Sequence, residues 1–174
     1  MEQTYTLVKR DGSREEVPFM YRDGVPCISH HIFKSEFGQR DTGQVVVYEP
    51  LVELFEKVRE IIKRPIRINS GYRSPEYQAN LYRQDPSGAV AKPGNSPHQT
   101  GAAMDLGIPP NFTAQSFAAL FRKTSKELGF PEARTGWKMY GGTFIHVDLV
   151  FMLYAPYTKE INPNPRDWSP GVMW

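Results

Sequence analysis

The stretch Val45–Lys63, VVVYEPLVELFEKVREIIK, constrains the fold most. Leu51, Leu54, Phe55, Val58, Ile61 and Ile62 recur with the 3.6-residue period of one helix face. Pro50 suits the first turn of such a helix, where an N–H would lack an intrahelical partner anyway. Pro65 follows its end. The pattern therefore predicts an amphipathic helix over 45–63, with one face turned to a core.

Other segments punctuate themselves in the same way. Asp11-Gly12 and Asp23-Gly24 are turn signals, and Thr4–Val8 with Val17–Tyr21 reads as a short hairpin. Ile66–Tyr72 alternates as a strand. Ser74–Gln84 reads as a helix with Ser74 as N-cap and Pro75 at its first position. A loop rich in Gly, Pro and Ser follows over 85–97, then a short strand over 102–108. Thr113–Phe130 reads as a helix closed by Gly129. Thr143–Val150 alternates as a strand, and the Pro-rich tail reads as an ordered coil packed by Trp168 and Trp174. Helices and strands do not alternate regularly, so the expected class is α+β, with helices packed against a small, mainly antiparallel sheet. The 174 residues fit one domain over 1–174, with 1–25 as an N-terminal extension.

Composition excludes several functions. Hydrophobic residues at 40% and charged residues at 23% are ordinary for a globular chain. The net charge is +2 and no basic block occurs, so nothing points to nucleic acid. No run of about 18 apolar residues exists to span a membrane. The start, MEQTYTLVKRDGSREEV, lacks an apolar core, so no signal peptide is expected in it. The single cysteine, Cys27, rules out an intrachain disulfide framework and reads as a buried small apolar residue. It also rules out a thiolate zinc site, so any metal must be held by His, Asp or Glu. Of the four histidines, the adjacent His30 and His31 read as a surface or helix-capping pair.

The other two histidines sit in SPHQTGAAMD (Ser96–Asp105) and FIHVD (Phe144–Asp148). Two imidazoles and one carboxylate are a common zinc-holding set, with a fourth position left for water. His98, Asp105 and His146 supply that set. Gly101 permits a sharp turn after His98, and Ala103 and Asp105 then share one face of the following strand. His146 and Asp148 also share a face. Asp148 is thereby a candidate general base, a partner that orients an imidazole, or a further ligand.

The first fragment matches Ser-x-His-x-x-Gly-x-Ala-x-Asp at Ser96, His98, Gly101, Ala103 and Asp105. With SGYRSPEYQ (Ser70–Gln78), FKSEF (Phe33–Phe37), FIHVDL (Phe144–Leu149) and the NPNP…W…GV.W tail, it resembles the zinc D-Ala-D-Ala carboxypeptidase group of peptidoglycan peptidases. The ending resembles the subgroup that closes on His-Val-Asp. The resemblance spans roughly residues 30–174 and implies a lysostaphin/D-Ala-D-Ala/hedgehog-type fold carrying a zinc cleft. It implies one zinc ion on His98, Asp105 and His146, and Arg73 binding a substrate carbonyl or carboxylate. A guanidinium suits that role because it keeps its charge and offers fixed donors to a developing oxyanion. Tyr72, Gln78, Ser96 and Trp137 are candidates to line the cleft. Several branches place an acidic base three residues before the last histidine, where Thr143 stands here; others place a histidine two before it, where Phe144 stands. Asp148 is then the expected base, with Glu76 in reserve.

The expectation is a monomeric zinc peptidase acting on peptidoglycan stem or cross-link peptides, as carboxypeptidase or endopeptidase, in the periplasm or cell wall. A phage-encoded lysin, or a leader already removed, would reconcile that place of action with the missing signal peptide. The competing expectation is a zinc-containing cell-wall-binding or phage structural module without catalysis.

Overall fold

The protein is described by a computed structural model covering residues 3–39, 42–85, 90–136 and 142–153. Trp137, Trp168 and Trp174 lie outside the described residues. The chain begins with five strands, β1 (Thr4–Val8), β2 (Arg14–Pro18), β3 (Met20–Arg22), β4 (Val25–Ser29) and β5 (Ile32–Phe33), and a single helical turn, α1 (Lys34–Phe37). β6 (Val46–Tyr48), α2 (Glu49–Ile62), β7 (Ile68–Ser70) and α3 (Pro75–Gln84) follow. A 3-10 turn over Pro97–Thr100 leads to β8 (Ala103–Gly107), α4 (Ala114–Glu127), β9 (Arg134–Gly136) and β10 (Phe144–Asp148).

The central sheet has the order β7-β8-β10-β9, and every pairing in it is antiparallel. α4 packs on β10 and β9, and α2 packs on α4 and β6. α2 buries Leu51, Leu54, Phe55 and Val58 of the expected stripe; Ile62 is partly buried, and Ile61, in the last turn, is exposed. Each buried side chain contributes about 1.5–3 kcal/mol relative to exposure. The α+β expectation holds, with helices against a small antiparallel sheet.

Several details differ from the sequence reading. Val46–Tyr48 is a strand and not the start of the helix: its residues are buried, and Tyr48 is the extended N-cap from which α2 begins. A run of valines, stiff at χ1, favours extended backbone where both faces are covered. The hairpin partner of β1 is Arg14–Pro18, displaced toward the turn from the expected Val17–Tyr21. β1 also pairs in parallel with β6, and Tyr5, Val8 and Phe19 join the same hydrophobic cluster as Leu149 and Leu153. The N-terminal segment is thus stitched into the core and does not merely extend from it. His31 caps no helix end; its backbone N–H and its ring Nδ1 both meet Glu56 of α2, at 2.8 and 2.6 Å. Cys27 is buried, as its type suggested.

Candidate metal centre

The central sheet lines up the chemistry. Across β7, β8, β10 and β9, Ser70 pairs with Asp105, Asp105 with His146, and His146 with Gly136. Alternation along each strand places these residues on one face. Gly136 carries no side chain and so leaves the His146 end of the row uncrowded. In the adjoining row Ala103 pairs with Asp148, and Asp148 with Arg134.

His98 reaches this row from the 3-10 turn over Pro97–Thr100. Pro97 sets the first turn, and Gly101 ends it with a φ of 75°. A side chain at Gly101 would press on the β6 backbone, because a Cβ would stand 2.4 Å from the Val46 carbonyl oxygen. The turn can therefore lie directly against β6, where the Gly101 carbonyl accepts from the Tyr48 N–H at 3.0 Å.

Protons can be placed by their partners. His98 Nδ1 lies 2.7 Å from the Gly71 carbonyl, which can only accept, so Nδ1 carries the proton and Nε2 the lone pair. That lone pair faces Asp105 Oδ1 at 3.3 Å. His146 Nδ1 faces the same oxygen at 2.9 Å, and its Nε2 lies 3.0 Å from Asp148 Oδ2. The two rings stand 5.0 Å apart, centroid to centroid. Two imidazole nitrogens and a carboxylate oxygen therefore converge on one point, all within 4.8 Å of one another. Such a convergence needs positive charge between the donors, from a proton or a metal cation. Among the described residues this is the one set of three His, Cys, Asp or Glu side chains able to hold a metal ion. The donor types and their convergence fit zinc.

The electrostatics agree. Burial acts to raise the Asp105 carboxyl, but His98 and His146 outweigh it and hold it well below the usual carboxylate range. Burial and the nearby Arg73 push His98 down, against the pull of Asp105. Burial also acts to lower His146, yet its hydrogen bonds to Asp105 and Asp148 prevail and raise it.

Arg73 is pinned at the edge of the row. Its Nη2 donates to Asp105 Oδ2 at 2.7 Å and its Nε to Ser70 Oγ at 3.0 Å. The side chain remains 18% exposed, and it lines a hollow of about 180 Å³ together with Tyr72, Ser70 and Tyr77. Ser74 anchors the start of α3 just beyond it, accepting from the Tyr77 N–H.

The other candidates are placed less openly. Gln78 is fully buried and donates to the Ala91 carbonyl at 2.7 Å, tying α3 to the loop ahead of His98. Ser96 is buried at the start of the 3-10 turn, where its carbonyl accepts from the Gln99 N–H. Asp148 has no exposed surface and lies on the opposite edge of the His146 ring from Asp105. Glu76 is exposed in the first turn of α3. Sequence reasoning missed Arg134, buried beside Asp148 with Nε 3.5 Å from Oδ2. It lies on a three-residue strand too short to show a period, and no sequence signal marks it, because the burial of Asp148 that calls for a counter-charge appears only in the fold.

No curated protein matches the chain. Among solved structures the chain is similar to the L-Ala D-Glu endopeptidase ChiX of Serratia marcescens, at 24% identity and a TM-score of 0.48, over 62% of this chain and 84% of that one. The sequence profile of the VanY D-alanyl-D-alanine carboxypeptidase family matches residues 44–139 of the 174, a span that includes Arg73, His98 and Asp105 and ends before His146. With more than half of its length inside that profile, the chain belongs to the VanY D-alanyl-D-alanine carboxypeptidase family.

Proposed function

We propose that the protein is a zinc-dependent peptidase that hydrolyses amide bonds in peptidoglycan stem or cross-link peptides, acting in the periplasm or cell wall. The observation that carries this reading is the convergence of His98 Nε2, Asp105 Oδ1 and His146 Nδ1 on one point, in a chain of a peptidase family. Zinc held there supplies a Lewis acid for the scissile carbonyl and a water of lowered pKa. Gly71 holds His98 with its lone pair inward. Arg73 keeps a fixed cation at the rim, where it binds the substrate carbonyl or carboxylate and the charge that develops on the carbonyl oxygen. Tyr72 and Ser70 shape the hollow beside it.

Asp148 acts behind His146 in this reading. It accepts from Nε2 and so keeps the Nδ1 lone pair on the metal side. Its role separates from that of Glu76 by experiment. Asp148→Asn that loses zinc together with activity marks an orienting carboxylate. Activity lost with zinc retained marks the base, and the same outcome in Glu76→Gln assigns the base there.

The test of function is hydrolysis of defined muropeptides, read by mass spectrometry, with and without a chelator. A zinc-dependent product identifies the bond and separates carboxypeptidase from endopeptidase action. The second reading, a zinc-containing module without catalysis, is favoured by Thr143 and Phe144 at the positions where a base was expected and by the burial of Asp148. Zinc-loaded protein that leaves every muropeptide intact would establish it.

A further inference from the structure

We propose that Arg134 is a positioning residue for the metal centre, acting through Asp148 on His146. The geometry is a chain of charged contacts through the sheet. Arg73 Nη2 meets Asp105 at 2.7 Å, Asp105 meets His146 Nδ1 at 2.9 Å, His146 Nε2 meets Asp148 Oδ2 at 3.0 Å, and Arg134 Nε stands 3.5 Å from that same Oδ2. Two guanidiniums thus bracket two carboxylates, with the imidazole between them. Arg73 is at the open end, and Arg134 is at the closed end, 7% exposed.

The sheet register makes this placement rigid. Arg134 is the direct cross-strand partner of Asp148 in the β9–β10 pairing. Asp148 Oδ1 is held separately, accepting from the Val150 N–H at 3.3 Å. One carboxylate oxygen is therefore fixed by backbone, and the other is shared between His146 and Arg134. A buried carboxylate with no exposed surface needs such a partner. Arg134 Nε stands at ion-pair distance from that oxygen and places a fixed positive charge beside it. The carboxylate in turn fixes the plane of the His146 ring, and so the aim of Nδ1. The role presupposes that His146 binds the metal.

The test uses Arg134→Gln in the full chain, with zinc affinity read by competition against a chromophoric chelator and folding read by thermal unfolding of the metal-free protein. Zinc affinity is expected to fall about 10–100-fold, the cost usual for loss of a partner behind a ligand. It should not fall further when Arg134→Gln is added to Asp148→Asn, because the path runs through Asp148. Wild-type affinity in Arg134→Gln overturns the proposal, and so does an undiminished effect in the double variant. If Arg134→Gln does not fold, Arg134→Lys carries the test, since it keeps a positive charge but moves it off the guanidinium position beside Asp148 Oδ2. A roughly tenfold weaker affinity at wild-type melting temperature supports the role, and unchanged affinity overturns it. A wild-type protein that binds no zinc removes the metal reading itself, which is a separate outcome.

Discussion

Gly101→Ala probes how the His98 turn is seated. Gly101 has a φ of 75°, which costs an L-residue such as alanine about 1–2 kcal/mol. Its added Cβ would stand 2.4 Å from the Val46 oxygen, 2.7 Å from the Val46 carbonyl carbon and 2.9 Å from Val47 Cα. These are backbone atoms of β6, which is itself paired to β1, so no side-chain rotation relieves them. Forced overpacking of this kind adds about 1–3 kcal/mol. Together the substitution should cost about 3 kcal/mol, a melting-temperature loss of roughly 6–12 °C for a chain of this length. Gly129→Ala is the matched control. Its φ is 73°, but nothing lies within 4 Å of where the added methyl would stand, so only the conformational cost of about 1–2 kcal/mol remains. Thermal unfolding of both variants, followed by circular dichroism in chelator, separates clash from strain. Zinc affinity should also fall in Gly101→Ala, because His98 sits on the displaced turn. Equal melting temperatures for the two variants would refute the reasoning.

Three further outcomes follow from particular contacts. Arg73→Met, assayed at saturating zinc because Arg73 also holds Asp105, should lower kcat/KM on a muropeptide substrate about 100-fold, the loss typical of one oxyanion-stabilising donor; a variant with more than a tenth of wild-type activity contradicts the role. Burial acts to raise the Glu56 carboxyl, but its hydrogen bonds from Ser29 and His31 hold it below its ordinary 4.5. A depressed folded-state pKa adds stability that is present above the unfolded value and is lost as pH falls through the folded one. The stability gap between wild type and Glu56→Gln should therefore be full at neutral pH and shrink below about pH 4.5 in denaturant titrations; a gap that does not change with pH contradicts this. Ser74→Ala removes the cap that accepts from Tyr77 and should cost about 1 kcal/mol in the same assay; no measurable loss would show that the cap is dispensable.

Much of the site was legible because its residues come in short local patterns. The ten residues from Ser96 to Asp105 carry a candidate ligand, a turn glycine that proves left-handed and a second candidate ligand on a strand, and alternation pairs His146 with Asp148. What the patterns could not convey was depth. Period two places Asp148 on the His146 face, but only the tertiary packing buries it and sets it on Nε2. Arg134 was invisible for a related reason: β9 is three residues long and finds its place only by pairing with β10. In the fold, the helical period was sound from Leu51 to Val58 but not at Ile61, which is exposed in the last turn, and the same apolar run concealed the Val46–Tyr48 strand, since a continuous buried run reads alike in helix and sheet. The hairpin of the N-terminal extension was legible from its turn, but its parallel pairing with β6 was not, because that partner lies far along the chain, with Thr6 opposite Val46.

The central claim is that His98, Asp105 and His146 hold one zinc ion. It is tested most directly by the metal content of purified protein, measured by plasma mass spectrometry after dialysis against a weak chelator. The account predicts one zinc per wild-type chain and less than a tenth of that in His98→Ala and Asp105→Ala that remain folded. Zinc content in the folded variants equal to that of the wild type, or a wild type that holds none, would contradict it.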